Sequence, residues 1–202
     1  MSTSLMKLSF VRSKLLLILM AWLMTGCATI SDSKTVLLAQ NVSFLLTDPP
    51  LEKIATVDSH LVEISSKGQS HQFIAQVEYR KNEIAMAAVS PEGLPLFDFI
   101  WFSDKASEIN QYVPLPNIDI GFIITDIQLS NWPLETIKSA LLGSNVSVKQ
   151  HSILNEKDSI WQRTITQNDN IIVKIEKFVD GYELENIVRG YRIRLTNLDR
   201  ED

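Results

Sequence analysis

The residues that could carry out covalent or metal chemistry are few in this chain. Its 202 residues include one cysteine, Cys27, and three widely separated histidines, His60, His71 and His151. A disulfide needs a second cysteine, and a structural zinc site usually combines several Cys or His side chains at close spacing. A catalytic thiolate needs a base beside it in a folded pocket, whereas Cys27 directly follows a hydrophobic N-terminal segment. The sequence therefore predicts no metal site and no cofactor, and Cys27 needs another explanation.

Sequence motifs for catalysis are also missing. The chain contains no G-x-S-x-G, H-E-x-x-H, phosphate-loop or dinucleotide-binding glycine pattern. A paired-carboxylate hydrolase stays open as an alternative, because several acids lie near one another in sequence. These acids are Asp98, Asp104, Asp119 and Asp126. Since solvent-facing or helix-capping acids would give the same pattern, we expect a protein that is not an enzyme.

The N-terminus has the features of a secretory signal peptide. Residues 1–14 carry Lys7, Arg12 and Lys14 and no acid, and ten apolar residues follow before Thr25 and Gly26. Ten apolar residues are too few for a transmembrane helix, which needs about 20. We therefore expect residues 1–26 to be removed.

The stretch "LMTGC" at residues 23–27 resembles the lipobox of bacterial lipoproteins. That resemblance implies that Cys27 is joined to diacylglycerol, that the chain is cut before it, and that the new amine is acylated. Several acyl chains on one residue would hold the protein firmly at a membrane. The residue after Cys27 is Ala28 and not Asp, which by the same resemblance implies sorting to the outer membrane. A cleaved signal with an incidental cysteine, or a short buried helix, are the alternatives.

The composition of the remainder disfavours nucleic acid as a partner. Removing residues 1–26 takes away three of the 19 Lys and Arg residues and none of the 24 acids, so the rest is strongly acidic and has no basic cluster. Its length suits one ordinary domain. We assign residues 27–57 to a lipidated N-terminus and tether, with a short helix within 35–46, and residues 58–202 to the folded domain.

Most of that domain has the period-two pattern of β-strands. In "HQFIAQVEY", residues 71–79, apolar and polar side chains alternate, and short polar turns separate this stretch from its neighbours. We predict strands near 61–64, 71–79, 84–89, 94–102, 107–113, 146–154, 160–167, 171–178, 182–188 and 191–196. Helical spacing over 120–127 and 133–143 predicts two short helices between them. The fold class is therefore mainly β (α+β), with an antiparallel sheet.

The strand "LPLFDFIWF", residues 94–102, is apolar on both faces except at Asp98, which predicts that both faces are covered. A strongly curved sheet can line a concave cavity without filling it, and helices across its mouth can exclude water. We expect such a cavity to be lined by Phe73, Val77, Met86, Phe97, Phe99, Trp101, Ile123, Ile127, Ile137, Leu141, Trp161 and Val173. The alternative is that the same side chains fill a solid core.

Three motifs, "SPEGLPLF", "DIQLSNWP" and "ENIVRGYRIRL", together with the order of elements, resemble a family of uncharacterised bacterial outer-membrane lipoproteins often found beside genes for aryl polyene or lipid synthesis. In architecture the chain is similar to the lipoprotein receptor LolB. The LolB resemblance implies an unclosed, strongly curved antiparallel β half-barrel with a helical lid, an apolar cavity for lipid or acylated cargo, and a soluble periplasmic LolA-like carrier as a candidate partner.

The same resemblance implies a membrane-contact loop at "SPEG". LolB presents a leucine there, whereas this chain has Glu92, and a carboxylate enters an acyl layer only at a cost of several kcal/mol. Leu94 and Leu96 are the candidates for membrane contact instead.

Three hypotheses follow from these patterns. The first is an outer-membrane lipoprotein, anchored on the periplasmic face, that binds a lipid, acyl or polyene chain and passes it on. The second is a structural or assembly lipoprotein with a filled core that holds a protein partner at the membrane. The third is an enzyme acting on a lipid intermediate, for which Asp98 is the candidate polar group.

Overall fold

The computed structural model describes residues 34–114, 119–153 and 159–198. These residues belong to one compact unit. The predicted signal peptide and Cys27 lie outside the described residues, so their assignment stays a prediction. Within the described part of the chain, no helix is long and apolar enough to cross a bilayer.

Ten antiparallel strands form the main sheet. Their bounds are β3 Thr56–Ser66, β4 Gln69–Arg80, β5 Glu83–Val89, β6 Pro95–Phe102, β7 Glu108–Gln111, β9 Val146–Ser152, β10 Ser159–Gln167, β11 Asn170–Phe178, β12 Gly181–Asn186 and β13 Tyr191–Asn197. Their order is β7-β6-β5-β4-β3-β13-β12-β11-β10-β9, and β7 and β9 are not paired with each other among the described residues. The prediction of a mainly β, unclosed antiparallel sheet with two helices is confirmed.

Tight hairpins set the register of this sheet. Lys67 and Gly68, then Asn82, and later Asn168 and Asp169 have positive φ angles between consecutive strands. Such left-handed residues match the right-handed twist of paired strands in short hairpins. The last strand then returns to the first strand of this sheet, with Leu195 opposite Val62 and Ile193 opposite Ile64. Strands from both ends of the sequence therefore lie side by side at its centre.

A second, three-stranded sheet has the order β1-β2-β8, with β1 at Thr35–Ala39, β2 at Val42–Leu45 and β8 at Leu141–Gly143. The prediction of a helix within 35–46 is wrong, because a turn with positive φ at Asn41 folds this segment into a hairpin. Val36, Leu38, Val42 and Phe44 are buried. The assignment of residues 27–57 to a tether is therefore wrong for residues 34–46, which are part of the folded unit.

Two helices lie between the halves of the main sheet: α1 at Ile120–Asn131 and α2 at Leu134–Ala140. The prediction that the second helix reaches residue 143 is wrong at its end, because residues 141–143 leave the helix and pair with β2. Gly143 permits that pairing, since a Cβ there would lie 2.5 Å from the backbone oxygen of Asn41. A short 3-10 helix at Leu51–Lys53 precedes β3.

The C-terminal end of α1 is fixed to the rest of the fold by buried polar groups. Gln128 is fully buried, accepts from the Thr47 amide at 3.0 Å and donates to the Thr47 carbonyl at 2.8 Å. Arg163 on β10 donates to the carbonyl oxygens of Leu129 and Trp132, the latter at 3.0 Å. These bonds satisfy carbonyls that a helix end leaves without partners, so this end of α1 is firmly held.

Candidate ligand cavity

A cavity of about 840 Å³ lies between the main sheet and α1. Its sheet side consists of inward-facing residues of β3 to β6, β12 and β13, and its helix side consists of residues from Asp119 to Ile127. Ligand pockets in proteins typically measure roughly 300–1,000 Å³ and are mostly apolar. The volume is therefore that of a site for a sizeable small molecule.

The cavity wall follows from the strand register. Val62 lies opposite Phe73 on β4 and opposite Leu195 on β13, so three apolar side chains form one row across the sheet. Alternate residues of a strand point to the same face, and Ile64 and Ile193 form the next row. On the β4 and β6 side, the rings of Phe73 and Phe97 meet edge to face at 6.2 Å between centroids. This part of the cavity wall is thus apolar.

Six of the twelve predicted cavity residues line this space. They are Phe73, Val77, Met86, Phe97, Ile123 and Ile127. The first four come from β4, β5 and β6, and the last two lie one turn apart on α1. In the structure, β4, β5 and β6 thus face α1 across the cavity.

The other six predicted residues do not line the cavity. Phe99, Trp101, Ile137 and Val173 are buried in the packed core, and Trp161 and Leu141 are partly buried against it. Ile137 lies on α2, which packs against β9, whereas Phe99 and Trp101 lie on β6 beyond the cavity residue Phe97. These six side chains therefore belong to the packed core that adjoins the cavity.

Several cavity residues were not predicted. They are Val62, Ile64, Ala75, Phe122, Tyr182, Leu184, Ile193 and Leu195. The alternation of Tyr191, Ile193 and Leu195 with arginines indicates a buried face. The pairing of β13 with β3, which places that face at the cavity, has no local signal in the sequence.

The rim of the cavity is polar. It includes the exposed side chains of His71 and Gln72 at the start of β4, Glu92 in the loop before β6, and Asp119 before α1. The Ser90 hydroxyl donates to Glu92 at 2.7 Å, and this hydrogen bond lowers the pKa of that carboxyl. The rim therefore carries negative charge.

Asp126 is the acid that faces the cavity from α1. The Tyr191 hydroxyl donates to its two carboxylate oxygens at 2.9 and 2.7 Å. Burial raises the pKa of Asp126 to about 7, although the hydrogen bond from Tyr191 and the charge of Arg189 act in the opposite direction. Burial also raises the pKa of Tyr191, so the tyrosine remains a donor at neutral pH.

His60 and Tyr182 form a second polar part of the wall. The two rings meet edge to face at 6.3 Å, and His60 is only 6% exposed. Burial lowers the pKa of His60, so its imidazole is neutral at pH 7. Its Nδ1 has no hydrogen-bond partner among the described residues. Asn131 donates to the Tyr182 hydroxyl at 3.3 Å.

Comparison with protein families identifies the chain. Residues 58–199 match the family described as "Protein of unknown function (DUF3261)". The chain belongs to this family. The comparison with curated proteins found no match.

Among solved structures, the DUF3261 chain is similar to one provisionally described as an outer membrane lipoprotein-sorting protein domain from Vibrio parahaemolyticus. The identity is 8%, the match covers 71% of this chain and 83% of that chain, and the TM-score is 0.33.

In the DUF3261 domain, the loop before β6 separates the two predicted membrane-contact residues. Leu94 is 63% exposed, whereas Leu96 is half-buried and lines the cavity. A turn closed by Ser90, whose amide donates to the Leu94 carbonyl at 2.8 Å, holds this loop. Of the two, only Leu94 has the exposure that membrane contact needs.

Asp98 lies on the other face of β6 from the cavity. Its carboxylate accepts hydrogen bonds from Tyr112 and from Asn110, the latter at 2.9 Å. The prediction that both faces of β6 are covered is wrong for this outer face, where Asp98, Ile100 and Phe102 are only partly buried. Asp98 is therefore not the polar cavity group that the enzyme hypothesis requires.

Proposed function

We propose that this protein is a lipoprotein of the outer membrane that binds a lipid, acyl or polyene chain in its cavity and assists the transfer of that chain or of an acylated cargo. The observation that carries the proposal is the apolar cavity of about 840 Å³ beneath α1. A scaffold with a filled core, the alternative from the sequence, does not account for that space.

Binding of a chain would need no covalent chemistry. Each methylene group buried contributes about 0.8 kcal/mol, so a twelve-carbon chain would gain roughly 9 kcal/mol before the cost of immobilising it. No catalytic step is part of the proposal.

Entry and release would use the N-terminal half of α1. The C-terminal end is held by Arg163 and Gln128, as described above, whereas the N-terminal half meets the cavity rim at Asp119. Fewer bonds hold this half: Asp126 accepts from Tyr191, and the Arg189 guanidinium lies over the Phe122 ring at 3.2 Å. A lid that tilts at its N-terminal half would open the cavity without unfolding the sheet.

Localisation at the outer membrane in this proposal depends on Cys27, which would carry the lipid anchor on the periplasmic face. Leu94 would then touch the membrane, with Glu92 beside it in the same loop. A soluble periplasmic LolA-like carrier is the partner that would deliver acylated cargo to the rim.

A matched pair of variants tests the cavity as a binding site. Ile193 lines the cavity, whereas Ile171 is exposed on β11. We expect Ile193→Trp to fill the space and lower the affinity for the apolar fluorophore N-phenyl-1-naphthylamine by about tenfold or more, which corresponds to about 1.4 kcal/mol. Ile171→Trp should bind as the wild type does.

Native mass spectrometry of gently extracted wild-type protein should also show co-purifying lipid. Fluorophore binding that is equal in both variants, together with spectra that contain only unliganded protein, would refute the proposed function.

A further inference from the structure

Positive charge is missing from the cavity wall. Among the described residues that line the cavity, none is Lys or Arg, and three are acids: Glu92, Asp119 and Asp126. Sites that bind carboxylates or phosphates usually supply a guanidinium, an ammonium or a set of free N–H groups. The described part of the wall therefore offers no guanidinium or ammonium group to an anionic head.

Three cations lie over aromatic rings of the wall but are not themselves part of the cavity lining. Lys53 pairs with Asp58 at 2.7 Å. Arg189 lies over the Phe122 ring and donates to the Leu37 carbonyl at 3.0 Å. Lys177 lies 5.6 Å from the centre of the Tyr182 ring. Because each of these groups lies outside the cavity lining, a bound anion would not form a direct ion pair with it.

The two polar groups deepest in the wall do not replace the missing cations. His60 is neutral at pH 7, because burial lowers its pKa. Asp126 already receives the Tyr191 hydroxyl, and above its pKa of about 7 it adds a negative charge. Two like charges a few ångströms apart in a poorly solvated space repel each other strongly.

We propose that the cavity selects hydrophobic chains whose polar end carries no negative charge, such as esters, amides and alcohols, over free carboxylates and phosphates, and that Asp126 is the residue that determines this selectivity. The proposal depends on the proposed function, because it specifies the ligand class of the same cavity. An ester or alcohol can enter beside Asp126 with no charge to desolvate.

Three ligands with the same chain length test the selectivity. Dodecanol, methyl dodecanoate and dodecanoate would displace N-phenyl-1-naphthylamine from the intact chain at pH 8.5, each below its aggregation concentration. We expect the two uncharged ligands to displace the fluorophore at concentrations at least about tenfold lower than dodecanoate.

Asp126→Asn removes the charge and keeps an oxygen that can accept from Tyr191. This variant should reduce the ratio of the displacing concentrations of dodecanoate and dodecanol to less than about threefold. Glu135→Gln makes the same charge change on α2, where Glu135 is exposed and pairs with Lys138 at 2.7 Å, and it should keep the wild-type ratio.

The outcomes separate the two proposals. Equal displacement by dodecanoate and dodecanol from the wild type would overturn the selectivity and leave chain binding intact. If the ratio of displacing concentrations of dodecanoate and dodecanol is the same for Asp126→Asn as for the wild type, the role of Asp126 is overturned. If none of the three ligands displaces the fluorophore from folded wild-type protein, binding of acyl chains itself is refuted.

Discussion

Replacing Asp126 by Asn should stabilise the protein strongly at alkaline pH and only slightly in mild acid. The folded-state pKa of Asp126 is about 7, against an ordinary value of 3.8, because the side chain is desolvated between α1 and the sheet. The folded protein therefore binds a proton more tightly than the unfolded chain between about pH 4 and 7. The contribution of Asp126 to wild-type stability therefore falls as the pH rises through that window.

The size of the effect follows from the two pKa values. Each pKa unit corresponds to about 1.36 kcal/mol, so the difference between 3.8 and about 7 gives about 4 kcal/mol as an upper limit. Asp126 is half-buried at the cavity, and solvent there would screen part of the charge. We therefore expect Asp126→Asn to be more stable than the wild type by about 2–4 kcal/mol at pH 8.5 and by no more than about 1 kcal/mol at pH 4.5.

Urea denaturation of both proteins at half-unit pH steps from 4.5 to 8.5 measures this difference directly. Burial lowers the pKa of His60, so stability from that group is lost as the pH falls below about 6.5. This contribution is present in both proteins and cancels in the comparison. Glu135→Gln, on the exposed face of α2, should show no such pH dependence. A constant difference between Asp126→Asn and wild type across the range would show that the carboxyl is not desolvated, and the reasoning would be wrong.

Two further predictions concern the elements that hold the cavity in shape. Arg163→Met should lower the free energy of unfolding by about 2–4 kcal/mol, because it leaves buried carbonyls at the end of α1 without donors. The control Arg192→Met removes an exposed arginine and should change the free energy of unfolding by less than about 1 kcal/mol. Gly181→Ala should prevent stable folding, because its Cβ would lie 1.9 Å from a backbone oxygen of β13. Gly190 also has a positive φ angle but has open space around it, so Gly190→Ala should lower the free energy of unfolding by only about 1–2 kcal/mol. Thermal melts followed by circular dichroism measure both pairs; near-equal values within a pair would contradict the packing described here.

Local pattern predicted most of the main sheet, and long-range pairing explains most of what it did not predict. The alternation in β4 and the tight turns after β3 and β4 are local signals, and they agree with the observed strands. The hairpin of β1 and β2 depends on β8, nearly a hundred residues later, for its third strand. Because the apolar run over residues 35–46 fits a helix as well as a hairpin, the sequence alone could not choose between them.

Long-range packing also limits prediction of the cavity from the sequence. Phe73 and Phe99 are both large, apolar and inward-facing in the sheet, yet only Phe73 lines the cavity. The difference arises from what lies above each residue, which is set by the crossing of α1 over the sheet. The alternation of apolar and polar residues identifies which face of the sheet is inward. It does not identify which part of that face lies against α1.

The cavity itself follows from the dimensions of the elements. Ten strands separated by nine spacings of about 4.8 Å form a sheet roughly 43 Å wide, whereas a helix with its side chains is about 10–12 Å across. The twelve residues of α1 extend only about 18 Å, and the seven of α2 about 10 Å. The concave face would need large side chains to fill the remaining space, yet Val62, Ala75 and Val77 stand at its centre. A wide sheet with small central side chains and two short helices therefore leaves a void, and an apolar guest would complete the packing that the chain does not provide.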